Sequence, residues 1–383
     1  MVKRVMFTVT LVCILLLFMS LPISAEESIG CADEYFDMLD ALPDDIAELL
    51  SDKLFSDKAS DIGEGAGEAV SFGYVIDVVA RHLGLELKGA LKLLATILGL
   101  LILSSLMNSV KTAFSSSGIS DAFSVITSCA VLLTAFASEY TIVRSVAVFF
   151  ERLCLFVNSI LPLTATLYAM GGNVASAVVH HSSLMIFIAL IENFCAKSAM
   201  PVAGICMSLS TVGAVAPDIN IGSVSKLFKK TYTQILGFMM TLFVAVMGGQ
   251  SLLAGKTDTL AGRAAKFAVS NLIPTVGSAL SGTLGTVAAS VEYIRASIGI
   301  IGIVAVILML IPTLVTLLVT KFTFAILECA ADLLGCTAEK KILDELSAIN
   351  GFLLSLAAIA SVSFIFVMTI FAKCSSAAGG GVL

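Results

Sequence analysis

Long apolar runs alternate with short polar interruptions from about residue 89 to residue 372. A helix needs roughly 20 apolar residues to cross the hydrocarbon core of a bilayer. Runs of about that length predict transmembrane helices near 89–110, 121–142, 146–170, 177–196, 199–217, 232–253, 297–320 and 349–372. The pattern therefore predicts an all-α, polytopic membrane protein with about eight transmembrane helices.

Several breaks in this pattern predict where helices end. Lys197 and Pro201 stand at the joint between the closely spaced runs 177–196 and 199–217. The glycine pairs of MGGN (170–173) and MGGQ (247–250) predict helix ends or kinks. Transporters use such breaks to build binding sites, but they are equally the ordinary turns of a polytopic protein.

The first 25 residues have the features of a cleaved signal peptide. Lys3 and Arg4 precede an apolar core, and the small residues of LPISA predict cleavage after Ala25. An uncleaved first transmembrane helix is the alternative. In either case we expect the following segment to be extracytoplasmic.

Residues 26–88 form an acidic segment with 16 acidic and 4 basic residues, a net charge of −12. In LPDDIAELLSDKLF, a proline and two aspartates suit the first turn of a helix, and apolar residues follow at helical spacing. The segment predicts a small helical extracytoplasmic domain. Its charge is either a solvated surface or a surface for a basic partner.

Composition excludes a soluble protein. The chain is 58% hydrophobic and 13% charged, with a mean hydropathy of +1.03, whereas soluble domains have nearly 25% charged residues. Residues 89–383 carry a net charge of +4. With the N-terminus outside, seven basic flanking residues fall on each side of the membrane. The positive-inside rule therefore does not settle the topology.

Residues 262–299, GRAAKFAVSNLIPTVGSALSGTLGTVAASVEYIRASIG, interrupt the apolar pattern. Pro274 disfavours one uniform helix, and Asn271 is a suitable helix cap. Ser281 and Gly285 begin a stripe of small residues at helical spacing, which lets membrane helices approach closely. The stretch predicts a re-entrant or half-helix element or a tightly packed interior helix, and a surface loop is the remaining alternative.

No pattern in the chain indicates catalysis. Phosphate-loop, GxSxG, HExxH and CxxC motifs are absent from the sequence, and the adjacent His180 and His181 cannot face one metal ion together. Four charged residues fall in apolar runs, all expected near helix ends: Glu139, Glu151, Arg152 and Glu192. We therefore predict a protein that is not an enzyme and has no cofactor, no metal site and no nucleic-acid partner.

The segment 337–350, TAEKKILDELSAIN, predicts an amphipathic helix with Thr337 as its N-cap. We expect it on the membrane surface or docked on a partner. The predicted organisation is then a signal peptide (1–25), the acidic domain (26–88), a first transmembrane part (89–256), the Gly/Ser-rich element (257–296) and a last transmembrane part (297–383).

These features together resemble the stage III sporulation protein AE family. The resemblance is carried by GRxxKFxxxNxIPxVGxxLS and, earlier, by LPLTATLYAMGG (161–172). The residues singled out as structural or assembly candidates are Pro162, Gly171, Gly172, Gly262, Arg263, Lys266, Asn271, Pro274, Gly277, Ser281, Gly285, Arg295 and Gly299.

The resemblance implies a multi-pass component of a channel or secretion-like complex. It places the protein in the mother-cell membrane around the engulfed forespore. The implied partners are other membrane proteins of the stage III sporulation A operon, ring-forming components and a cytoplasmic ATPase. An autonomous secondary transporter of a small solute and a poreless membrane scaffold are the alternatives.

Overall fold

A computed structural model of the protein describes residues 72–113, 117–215, 222–272 and 277–373. The predicted signal peptide and most of the predicted acidic domain lie outside these residues. The helices are α1 (Phe72–Ala113), α2 (Ser117–Met170), α3 (Val174–Leu190), a π-helical turn (Ile191–Ala196), α4 (Lys197–Val215), α5 (Gly222–Leu272), α6 (Gly277–Leu333) and α7 (Thr337–Lys373).

The all-helical prediction is confirmed for the described residues, but two of its divisions are wrong. The runs 121–142 and 146–170 belong to the single helix α2. The runs 177–196 and 199–217 follow one another through the π-helical turn, without a reversal at Lys197 or Pro201. In the described part of the chain, six helical spans are long and apolar enough to cross a membrane.

Chain reversals occur where a glycine adopts a left-handed conformation. Gly172 has φ +69° and Gly335 has φ +73°. After α2, the N–H of Asn173 donates to the carbonyl of Tyr168 and the N–H of Gly172 to that of Ala169. This is a Schellman motif, which favours glycine because a Cβ would be strained there. The predicted break at MGGN is confirmed, whereas α5 continues through MGGQ and that predicted helix end is wrong.

Helices α6 and α7 form the most extensive helix pair and lie at the centre of the bundle. They approach most closely where α6 has glycine. A Cβ placed on Gly299 would lie 2.8 Å from the Cβ of Ala372, and one on Gly302 would lie 2.6 Å from Cε of Met368. Small residues therefore set the distance between the two helices.

The predicted amphipathic helix 337–350 is the first third of α7 and does not lie apart on a surface. Its apolar residues Ile342, Leu343, Leu346 and Ile349 are buried in the core of the bundle. The spacing of these apolar residues predicts a helix, which the structure confirms. The other helices of this chain cover its apolar face.

Candidate functional site

One end of the bundle holds a buried cation. Arg295 of α6 is 1% exposed. Its guanidinium carbon lies 4.5 Å from the ring centroid of Tyr168 on α2 and 5.9 Å from that of Phe371 on α7. Aromatic faces attract cations, and the attraction strengthens away from water. Two helices, α2 and α7, thus supply the rings that hold this arginine of α6.

His180 of α3 completes this aromatic site. Its ring stacks on Phe371 at 4.9 Å and lies 5.4 Å from the ring of Tyr168. Both ring nitrogens of His180, and Nε and Nη2 of Arg295, are buried without a hydrogen-bond partner among the described residues. We call Arg295, His180, Tyr168 and Phe371 the arginine site.

A capping interaction fixes α3 beside the arginine site. The carboxylate of Asp258 on α5 accepts the N–H of Ala175 at 3.0 Å and the N–H of Ser176 at 2.8 Å. These are free donors of the first turn of α3, and a carboxylate is stabilised at a helix N-terminus. Asp258 therefore joins α5 to the helix that carries His180.

The structure brings only some of the predicted residues together. Arg295 and Gly299 lie next to α7, and Gly171 and Gly172 form the nearby turn after α2. Pro162 lies within α2. Gly262, Arg263, Lys266 and Asn271 lie in the last part of α5, and Gly277, Ser281 and Gly285 in the first part of α6.

Residues 262–299, which interrupt the apolar pattern, are thus mostly helical. Asn271 lies in the last turn of α5. Residues 277–291 are the beginning of the long helix α6, in which the small-residue spacing is kept. Pro274 lies outside the described residues.

A second set of buried polar groups lies near the other end of α7. Glu345 of α7 accepts hydrogen bonds from Lys229 and Ser225, both on α5. Both members of the ion pair are 7% exposed or less. One turn further along α7, Nδ2 of Asn350 donates to Oε2 of Glu139 on α2 at 2.9 Å. We call Glu139, Lys229, Glu345 and Asn350 the carboxylate site.

Glu339, at the beginning of α7, extends this buried polar character toward α1 and α2. Its Oε1 accepts the hydroxyl of Ser104 at 2.8 Å and that of Ser128 at 2.9 Å. All three residues are buried. Hydroxyl donors stabilise a buried carboxylate only partly, because each brings a dipole and not a charge.

Sequence reasoning missed the carboxylate site. Glu139 was expected near a helix end, but it lies in the interior of α2 and is 0% exposed, so that expectation is wrong. Glu151 and Arg152 are exposed, and Glu192 forms an exposed ion pair with Lys197. The sequence feature that could have indicated this site is the presence of polar residues on an otherwise apolar face of α7. Their partners are more than 100 residues away in the sequence.

The described side chains form no metal-binding cluster of three or more His, Cys, Asp or Glu residues. What the two sites offer is electrostatic. One holds a cation against aromatic rings, and the other holds two carboxylates with one ammonium.

A comparison with protein families covers all of the described helices. The model of the family described as stage III sporulation protein AE matches residues 55–377. The chain belongs to the stage III sporulation protein AE family. The resemblance inferred from the sequence is thereby confirmed.

A curated relative supports the membership in this family. The chain is 22% identical to the stage III sporulation protein AE of Bacillus subtilis (strain 168) over 283 residues. The matched region covers 73% of this chain and 70% of that protein. No solved structure matches the chain. Family membership supports a role in sporulation.

Proposed function

We propose that the protein is a multi-pass membrane component of a channel or secretion-like complex between mother cell and engulfed forespore. In this role it lies in the mother-cell membrane that surrounds the forespore and is needed for forespore development. Its proposed partners are other membrane proteins of the stage III sporulation A operon, ring-forming components and a cytoplasmic ATPase.

The observation that carries the proposal is the extent of the family match. Residues 55–377 include every described helix, from α1 to the end of α7. The likeness to a sporulation protein therefore concerns the whole membrane part and not one appended motif. Six apolar spans support a multi-pass placement.

The outer helices support a protein surrounded by lipid or by other membrane chains. Leu91 on α1 and Phe238 and Leu252 on α5 are more than 60% exposed. Large apolar side chains at such positions would be unfavourable in water. On membrane helices they suit acyl chains or the apolar faces of partner subunits.

The test is deletion of the gene in its native host, followed by a count of heat-resistant spores and microscopy of the forespores. We expect arrest after engulfment and rescue by the intact gene. Abundant spores without the gene would overturn the proposal. A fluorescent fusion distinguishes the mother-cell membrane around the forespore from a uniform distribution, which would contradict the proposed placement.

Two arginine variants extend the test to the arginine site. We expect Arg295→Gln to reduce spore counts at normal protein level, because it removes the buried cation. Arg144→Gln is the matched control, since Arg144 is exposed on α2 and is not one of the candidate residues. Equal spore counts in the two strains would show that Arg295 does not contribute to the function.

A further inference from the structure

Polar residues lead from the protein surface into the bundle along α5 and α7. The exposed pair Lys226–Asp344 has side chains 58% and 45% exposed, with Nζ 2.9 Å from Oδ2. Three residues further along α5 and one along α7, the pair Lys229–Glu345 is 7% and 6% exposed. Beyond it, Glu139 is 0% exposed. The path ends there, because α7 continues from Asn350 as an apolar helix.

The contacts of Asn350 fix its orientation. Its Nδ2 donates both to Oε2 of Glu139, at 2.9 Å, and to the carbonyl of Leu346, at 3.3 Å. Oδ1 of Asn350 therefore remains as an acceptor. It is buried and has no partner in the part of the chain that the structure describes, and the same holds for Oε1 of Glu139. Two unpaired acceptors thus belong to the same pair of side chains.

A proton on Oε1 of Glu139 would supply the donor that this pair of side chains lacks. It turns Oε1 into a donor, and the partner that lacks a donor is Oδ1 of Asn350. Because Nδ2 of Asn350 already donates to Oε2 of Glu139, the protonated acid and the carboxamide have the donor and the acceptor for a second hydrogen bond. A buried acceptor that is left without a donor destabilises the folded protein.

The charge balance of the carboxylate site points the same way. Lys229 is a cation that acts on Glu139, but Lys229 is paired with Glu345. With both carboxylates ionised, the site would hold a net charge of −1 in the interior of the bundle. An isolated charge in such surroundings is costly, and such groups neutralise instead. One added positive charge, such as a proton, makes the site neutral.

A metal cation fits the site less well than a proton. Ca²⁺ takes six to eight oxygen ligands. Two oxygens of this pair lack a partner within the described ranges, Oε1 of Glu139 and Oδ1 of Asn350. The backbone carbonyls around them are engaged inside α2 and α7. The number of free ligands therefore favours the proton.

We propose that Glu139 is a proton-binding site, with Asn350 as its hydrogen-bond partner and the path from Lys226–Asp344 as its access to water. Binding forms one O–H bond at Oε1 and breaks one O–H bond of hydronium, which leaves as water. The inference does not rest on the proposed sporulation role, since it concerns the isolated protein.

The experiment is infrared spectroscopy of the purified full-length protein in lipid nanodiscs over a range of pH. At neutral pH we expect a carboxylic-acid C=O band that shifts in deuterated water and loses intensity as the pH rises. Glu139→Gln should lack this band. Glu151→Gln is the matched control, because Glu151 is exposed on the same helix. It should keep the band unchanged.

The outcomes separate clearly. Identical acid bands in the wild type and Glu139→Gln would overturn the proposal. If Glu139→Gln does not fold, the wild type labelled with ¹³C at the glutamate carboxyl gives the answer without a variant. Absence of a labelled acid band at neutral pH would then overturn it. Asn350→Leu should move the band to higher frequency, since the amide partner is lost, and an unmoved band would contradict the assigned pair.

Discussion

Buried charged groups are stabilised in different ways near the two ends of α7. Phe371 and Asn350 are 21 residues apart, or about 30 Å along a helix. At the Phe371 end, Arg295 is held by aromatic rings, with no hydrogen bond to its Nε or Nη2 among the described residues. At the Asn350 end, Lys229 has a carboxylate partner in Glu345, and Glu139 has an amide.

The two sites should differ in how much unfolding free energy is lost when one charged residue is replaced. Breaking a buried ion pair leaves a charge without compensation, whereas replacing a buried charge that lacks a partner removes a cost. The carboxylate site should therefore be sensitive to single substitutions. At the arginine site, we expect an apolar replacement of Arg295 to leave the protein folded but to impair its function.

The largest effect is expected for Lys229→Met. This variant leaves Glu345 buried with Ser225 as its remaining described donor, and we expect a loss of about 3–5 kcal/mol of unfolding free energy. Reversible unfolding in mixed micelles measures it. The double variant Lys229→Met, Glu345→Leu should recover a large part of the loss, since the unpaired charge is gone.

The control for this pair lies one turn away on the same two helices. Lys226→Met breaks an exposed ion pair with Asp344. Exposed pairs contribute up to about 1 kcal/mol. Equal losses for Lys226→Met and Lys229→Met would show that burial does not distinguish the two pairs, and the comparison between the ends of α7 would fail.

The next effect is expected for Gly299→Ala, beside the arginine site. The added methyl group would lie 2.8 Å from Cβ and 3.3 Å from Cα of Ala372. Because a backbone atom must move, we expect a loss of about 1–3 kcal/mol. Gly249→Ala is the matched control, since nothing lies within 4 Å of its Cβ. It should stabilise α5 by up to about 1 kcal/mol, and a similar gain for Gly299→Ala would contradict the close approach of α6 and α7.

A smaller effect is expected for Gly172→Ala in the turn after α2. A left-handed conformation costs an L-residue about 1–2 kcal/mol, and Gly172 has φ +69° with open space around its Cβ position. Gly172→Asn should cost less, because asparagine tolerates this conformation. Unfolding experiments in the same micelles compare the two, and equal stability of Gly172→Ala and the wild type would contradict the assigned turn.

Much of the helical architecture could be predicted from the sequence, because apolar runs and glycine pairs are local signals. The turn at Gly171–Gly172 was found in this way. The same signals failed in α2 and at MGGQ, where α2 and α5 extend past the length that a bilayer needs. Span length limits how short a membrane helix can be, but it does not say where a long helix ends.

The candidate sites could likewise be predicted only in part from the sequence. Arg295 stood out because a charged residue follows a stretch rich in small residues, whereas its rings come from α2 and α7. Glu139 was misplaced because its burial depends on Asn350, which is 211 residues away. A local pattern shows that a charge is unusual in its surroundings, but only the packing of distant helices shows whether it has a partner.

The smallest effect on stability is expected for Arg295→Met. Methionine keeps an unbranched apolar stem against Tyr168 and Phe371. It also removes the cost of burying a cation whose Nε and Nη2 have no hydrogen-bond partner among the described residues. The lost cation–π attraction is worth about 2 kcal/mol in a desolvated site. The two terms oppose each other, so we expect an unfolding free energy within about 1 kcal/mol of the wild type.

Arg295→Met therefore decides whether the two ends of α7 differ as described. A loss as large as that of Lys229→Met would mean that Arg295 has a counter-charge in the folded protein, since only a stranded partner costs that much. Arg144→Met, at an exposed position of α2, should leave the stability unchanged. A stable Arg295→Met protein that fails to restore spore formation would show that the cation at this end of the bundle is kept for function and not for folding.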